Sequence, residues 1–490
     1  MISRDLMAPL MFSGLIVFLL IGYPVAFSLG AVGLFFGVIG IEMGFFTTSL
    51  LQALPERVFG ILANDLLLSI PFFTFMGAIL ERCGLAEDLL EGTGQLFGPV
   101  RGGLAYAVIL VGALLGAITG TVAASVIAMG LISLPVMMRY GYNMRIATGV
   151  IAASGTITQL IPPSLVLVVL ADQLGKSVGD MYAGAIGPSI VQVLLFCAFI
   201  FLVSIFRPSY VPALPPEARS TMGWKLVRRV LWGMVPSLAL IFLVLGTILM
   251  GLATPTEGGA MGAVGAMALA AMHKRLTWDL LWQGMDSTMK ITAMVIFILI
   301  GSTVFGLVFR GVDGDLWIEH MLLGLPGGQV GFLLVVNIFV FFLAFFLDYF
   351  EIAFIVIPLL APVAQKLGID LIWFGVLLGA NLQTSFMHPP FGFALFYLRG
   401  VAPKEVKSSD IYWGAMPWVV LQLILVAIII FWPGLVTSFI DQGVPPGAPA
   451  IEAPLQPAAS PPDQPGADNA NEGRQDQESA EIEKLLRNRK

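Results

Sequence analysis

"TQLIPPSLVLVVLA", residues 158–171, and "QTSFMHPPFGFALF", residues 383–396, decide how this chain is read. Each places two adjacent prolines between small polar residues and an apolar run. Proline lacks a backbone N–H and disfavours the helical conformation in the residue before it, so both stretches predict a helix that stops and restarts. Carbonyls around Gln159 to Ile161 and around Ser385 to Met387 then lose their intrahelical partners.

The surroundings make such a stop costly. The chain has 490 residues, 58% hydrophobic and 11% charged, against roughly 45–50% and about 25% in a soluble domain. Apolar runs long enough to cross a bilayer recur along it, and the alternation of barrel strands is absent. The fold class is therefore all-α, a polytopic membrane protein. The first apolar run, preceded by Arg4, reads as an uncleaved membrane helix. Irregular backbone at membrane depth is tolerated only where it is buried in protein or faces a watery cavity, and transporters use such half-helix ends to hold ions or anionic groups. A proline kink kept for packing is the plain alternative.

An internal duplication organises the rest. "PVMMRYGYN" at 135–143 and "PVAQKLGID" at 362–370 align, and the proline pairs align with the same offset of 227 residues. We read residues 1–206 as a first repeat, 207–229 as a cytoplasmic link, 230–435 as a second repeat and 441–490 as a disordered acidic, proline-rich tail with a short helix at 478–489. Arg207, Arg219, Lys225, Arg228 and Arg229 place the link inside. Arg101 and Arg139 both belong inside as well, which makes 104–138 a re-entrant hairpin and puts its partner, 332–365, on the other side. Segments 10–40 and 66–98 count among the spans or membrane-dipping segments. The repeats are then inverted, each with about five transmembrane helices, a re-entrant hairpin and a broken helix, and both termini lie outside. A twelve-span bundle with both termini inside is the alternative.

Ser154, Thr156, Thr158, Asn381, Thr384 and Ser385 precede the breaks and offer neutral oxygens of the kind a hard cation prefers. The same small residues also suit close helix packing. Asp348 and Glu351 stand in an apolar stretch, where a charge costs about 2.5–3.5 kcal/mol at the bilayer centre, so they are functional candidates unless they cap a helix. If the segment is helical, their spacing puts both on one face of it. Thr254, Pro255 and Glu257 make a capping box that opens a scaffold helix rich in small residues. His273 and His320 are placed in loops and His388 before a proline pair.

Several function classes are excluded or disfavoured. Zinc-hydrolase, nucleophile-elbow and phosphate-loop motifs are missing, so an enzyme is not expected. Cys83 and Cys197 cannot build a disulfide framework, and there is no nucleic-acid footprint. Without an ATP-binding domain, any pumping must draw on an ion gradient.

The motifs "ATPTE" at 253–257, "IPPS" at 161–164, "LDYFEIAFIVIPLLAPVA" at 347–364 and "HPPFGFALFYLRG" at 388–400 resemble the large membrane subunit (M subunit) of tripartite ATP-independent periplasmic (TRAP) transporters, over about residues 8–435. The resemblance implies sodium-coupled import of a small organic acid, a carboxylate, across the bacterial inner membrane by an elevator-type mechanism. It also implies two partners, a periplasmic substrate-binding protein and a small four-helix membrane subunit, and no cofactor beyond the coupling sodium ions. By the same resemblance the ion sites fall at Thr119, Gly120 and Thr121, at Ser154, Gly155 and Thr156, at Asp348, and over Asn381 to Ser385 with Thr384; the reading of the residues adds Glu351 and the breaking prolines Pro162, Pro163, Pro389 and Pro390 to the ion and substrate candidates. Sodium is expected near Thr119, Ser154, Asp348 and Asn381. His388 departs from the threonine that often precedes the second proline pair. An ion channel or passive pore built on the same breaks is the alternative function, though a channel is expected to use a symmetric filter.

Overall fold

Apolar chains in hydrocarbon must satisfy their backbone internally, and the computed structural model does so with helices. It describes residues 4–119, 121–218, 224–389 and 392–440, among which there is no strand. The expected tail helix at 478–489 lies outside the described residues, as do Arg219, Gly120 and Pro390.

In the first half come α1 (Arg4–Ile21), α2 (Val25–Glu42), α3 (Ser49–Gln52), α4 (Leu54–Leu62), α5 (Asp65–Arg82) and α6 (Leu85–Leu96). Then follow α7 (Gly103–Thr119), α8 (Val122–Arg139), α9 (Met144–Thr156), α10 (Leu165–Leu174) and α11 (Val178–Phe206). Two short 3-10 turns, Pro208–Tyr210 and Pro216–Ala218, lead toward the second half. That half opens with α12 (Trp224–Leu249), α13 (Pro255–Met272), α14 (Trp278–Gly311), α15 (Gly314–Leu323) and α16 (Gly328–Leu343). It ends with α17 (Tyr349–Ile355), α18 (Ile357–Lys366), α19 (Leu371–Leu382), α20 (Phe393–Val401), α21 (Ser408–Phe431) and α22 (Gly434–Thr437).

Three expectations need correction. The run 10–40 is two helices, separated at Gly22 (φ +90°) and Pro24, because a left-handed glycine followed by a proline cannot continue a helix. The segment 66–98 is likewise divided, at Gly84 (φ +70°). His320 lies inside α15, a short helix set at 118° to α16, and not in a loop.

The duplication is visible in the element boundaries. Helices α8, α9 and α10 start at 122, 144 and 165; adding 227 gives 349, 371 and 392, beside the starts of α17, α19 and α20. The caps repeat too. Asn143 caps α9 by accepting from Arg145 N, and Asp370 caps α19 by accepting from Trp373 N. Thr121 and Asp348, also 227 apart, are the cap residues of α8 and α17.

Glycines let the helices approach closely. A Cβ on Gly149 of α9 would sit 2.2 Å from the Gly414 carbonyl of α21, and one on Gly414 would sit 2.4 Å from the Arg145 carbonyl. On α13, Gly259 and Gly262 seat against Phe72 and Met76 of α5, below a capping box in which Thr254 N donates to Glu257 Oε2 at 2.8 Å and Glu257 N to Thr254 Oγ1 at 3.2 Å. The outer surfaces carry exposed apolar side chains such as Phe206, Phe242 and Phe431, as a lipid-facing protein requires. The described residues form one compact unit, with no separation between the two repeats.

The α9–α21 crossing has no room for a side chain, so Gly149→Leu should destabilise the protein by about 1–3 kcal/mol, the usual range for overpacking. Gly60→Ala, at an exposed position with nothing within 4 Å, should not. Thermal melts in detergent measure both; equal effects at the two positions would contradict the packing described.

Candidate functional site

The first break begins where α9 ends at Thr156. A 3-10 turn, Ile157–Gln159, follows; the buried Pro162 and Pro163 come next, and α10 restarts behind Ser164. Every residue from 154 to 160 is buried. Hydroxyls reach two carbonyls around the prolines: Ser164 Oγ donates to Gln159 O at 2.5 Å, and Ser189 Oγ of α11 shares its one proton between Ala185 O of its own helix at 2.7 Å and Leu160 O at 3.1 Å. A carbonyl has two lone pairs, so one such bond leaves acceptor capacity.

The helix faces separate the candidate oxygens of this break. Ser154 and Thr158 lie against Gly112 and Gly116 of α7, where a Cβ on either glycine would come within 3 Å of them. Gly155 lies against Val126 of α8. Thr156 points the other way: its hydroxyl donates to Ala153 O at 2.8 Å and accepts from Gln422 Nε2 of α21 at 2.9 Å. Ser154 Oγ is buried without a hydrogen-bond partner among the described residues.

The second break repeats this design. A 3-10 turn, Gln383–Phe386, follows α19, and residues 381–388 are all buried. Thr384 Oγ1 donates to Asn381 O and Ser385 Oγ to Leu382 O, both at 2.7 Å. Asn381 Nδ2 donates to Asn337 O at 2.8 Å and to Asn337 Oδ1 at 3.0 Å, which ties the break to α16. His388 stacks on Phe345 with ring centroids 4.2 Å apart and meets Phe341 edge-on at 4.4 Å; Pro389 follows it.

Both hairpin tips are helix starts. Thr119 ends α7, and Thr121 holds the cap position of α8 without a side-chain bond to the helix. Asp348 caps α17, with Glu351 N donating to Asp348 Oδ1 and Asp348 N donating to Glu351 Oε2, each at 2.9 Å. Of the two readings of this spacing, the helix-capping one is what the structure shows. Asp348 is the residue before the helix and Glu351 is in its first turn, where each carboxylate satisfies an otherwise orphaned backbone N–H. Tyr349, next to the cap, has its ring centroid 5.9 Å from that of Phe386, so the second tip lies beside the second break.

Helices of one repeat pack reciprocally on those of the other. The helix after the first break, α10, packs on α19 and α17, and the helix after the second, α20, packs on α9 and α8. On α11, Ser189 bonds to the first break and Gln192, one turn later, donates to Gln383 Oε1 of the second at 2.5 Å. The two breaks therefore meet across a single turn of α11. Chemically, this collects two helix C-termini, with their partial negative charge, and two N-termini, with their partial positive charge, in one water-poor region. Such ends favour cations and anions respectively.

Asn337, Gln192 and Gln422 were not among the sequence candidates. Each is a lone buried amide in an apolar span, and that rarity was the available signal.

From residue 12 to residue 435 the chain matches the family described as "Tripartite ATP-independent periplasmic transporter, DctM component". It is 30% identical to a C4-dicarboxylate TRAP transporter large permease protein of Pseudomonas aeruginosa, an alignment covering 79% of this chain and 89% of that one. A sialic acid TRAP transporter large permease of Vibrio cholerae is 28% identical, over 84% of this chain and 93% of its own length. A 2,3-diketo-L-gulonate permease of Escherichia coli is 26% identical, over 76% and 85%. Among solved structures, the YdaH transporter of Alcanivorax borkumensis superposes with a TM-score of 0.56 at 15% identity, covering 79% of this chain and 88% of that one, which speaks to the fold alone. With its matched broken helices and a family match over most of its length, this chain belongs to the large-permease family of the TRAP transporters.

Proposed function

We propose that this permease couples inward sodium flow to the import of a small carboxylate across the bacterial inner membrane. The observation that carries this reading is the pair of equivalent helix breaks, both buried and meeting at Ser189 and Gln192 of α11. Relatives named for C4-dicarboxylates, 2,3-diketo-L-gulonate and sialic acid handle acids of different size, which supports an acid as the substrate class. Cation ligands in this reading are Thr156, Asp348, Asn381, Thr384 and Ser385 with neighbouring carbonyls, and sodium is cargo that enters and leaves with the substrate.

The energetics favour coupling. Each net positive charge moving inward gains about 2.3 kcal/mol per 100 mV, and a tenfold sodium gradient adds about 1.4 kcal/mol per ion. Sodium in excess of the substrate's charge then draws an anion inward. In this scheme α7 to α11 and α16 to α21 form the moving body of an elevator, and α1 to α6 with α12 to α15 form its scaffold. A periplasmic binding protein delivers the acid, a small membrane subunit flanks the scaffold, and the N-terminus and tail face the periplasm.

Uptake in proteoliposomes containing all three polypeptides tests the coupling: accumulation should require a sodium gradient, and accumulation undiminished without one would defeat it. The tip acids allow a second test. Asn caps a helix as well as Asp does, and Gln closes a capping box as well as Glu does, so Asp348→Asn and Glu351→Gln should keep wild-type stability. Asp348→Asn should nonetheless lower sodium-driven uptake at least tenfold. Wild-type uptake in Asp348→Asn would leave that acid as a helix start only.

A further inference from the structure

Gln192 and Gln422 lie in the long apolar helices α11 and α21, and both are fully buried. A buried amide is costly unless it is hydrogen-bonded. Each finds its partner in the other repeat. Gln192 Nε2 of the first repeat donates to Gln383 Oε1 at 2.5 Å, and Gln422 Nε2 of the second donates to Thr156 Oγ1 at 2.9 Å. Positions 156 and 383 are 227 apart, so the two acceptors are the same structural place: the end of the helix that precedes each break.

The helices that supply the amides are equivalent as well, since α11 follows α10 as α21 follows α20. Packing alone would be served by leucine at these positions. It would not place the same side chain twice on the same site from opposite repeats. After each amide nitrogen is committed, Gln192 Oε1 and Gln422 Oε1 stay buried with no hydrogen-bond partner among the described residues. Buried acceptors of that kind are rare in native proteins, and polar side chains deep in a transport protein mark functional places. Both helices also hold the breaks by other contacts, α11 through Ser189 on Leu160 O and α21 through the glycine crossing with α9.

We propose that Gln192 and Gln422 are positioning residues for transport, each holding the pre-break helix end of the opposite repeat in the orientation that binds the coupling cation. This rests on the sodium-coupled reading above. Each amide acts through one residue, Gln422 through Thr156 and Gln192 through Gln383, so the two breaks are held to each other as well as to their own repeats.

The test is a set of double-mutant cycles in the three-polypeptide complex, reconstituted in proteoliposomes. Gln192→Leu and Gln422→Leu should each raise the sodium concentration for half-maximal uptake at least tenfold, with the maximal rate at saturating sodium falling less than threefold. Gln422→Leu combined with Thr156→Val should be no worse than the more severe of its two single changes, as should Gln192→Leu combined with Gln383→Leu. The crossed pair, Gln192→Leu with Thr156→Val, should be nearly additive. If a leucine variant does not fold, Gln192→Asn and Gln422→Asn shorten the amide while keeping its polarity, and the same cycles apply. Additivity in the matched pairs, or a fall in maximal rate with no change in sodium midpoint, would overturn the proposal. If wild-type uptake ignores sodium, the sodium reading fails by itself, and the cycles read on the substrate concentration for half-maximal uptake still decide whether the glutamines position the breaks.

Discussion

A backbone carbonyl stripped of its helical partner, deep in a membrane protein, must find another donor or a cation. Most of the central architecture follows from that constraint. The proline pair at 162–163 frees carbonyls that Ser164 and Ser189 then engage, so the interruption is stable before any ion arrives. Because a hydroxyl uses only one of a carbonyl's two lone pairs, the interruption can also accept a positive charge. An element that both stands alone and binds reversibly is what a carrier needs, since cargo held by an otherwise collapsed site could not be released.

Duplication supplies the second half of the arrangement. Each repeat's broken helix is covered by helices of the other, α10 on α19 and α20 on α9, and the buried glutamine contacts repeat the exchange at single-residue scale. The boundary at residues 206–230 thus separates two copies in sequence and not two folding units; the described residues make one body. Glycines at 149 and 414 allow the crossing, since any larger residue there would push α9 and α21 apart and pull Thr156 away from Gln422.

Much of this was legible in the chain because the signals are local. Proline pairs mark the breaks, Thr254 with Glu257 marks a helix start, and the common offset of 227 residues recovers the equivalence of Thr121 with Asp348 and of Asn143 with Asp370. The rest depended on what lies across the fold. Ser154 and Thr156 are two residues apart and equally plausible ligands by type, yet one faces α7 and the other α21. For Asp348 and Glu351, a three-residue spacing fits a pair inside a helix and a capping box at its start equally well, and only the backbone geometry separates the two. Gln192 and Gln422 find partners 191 and 266 residues away, which no local pattern encodes.

The most direct measurement is a map of the reconstituted complex with thallium as an anomalous, sodium-competed cation. Its density is expected at the last turn of α9 or of α19, within coordination reach of Thr156 or of the Asn381–Ser385 segment, and lost when sodium is added. Sodium-competed density found only away from both helix ends, in a preparation that still carries out uptake, would contradict it.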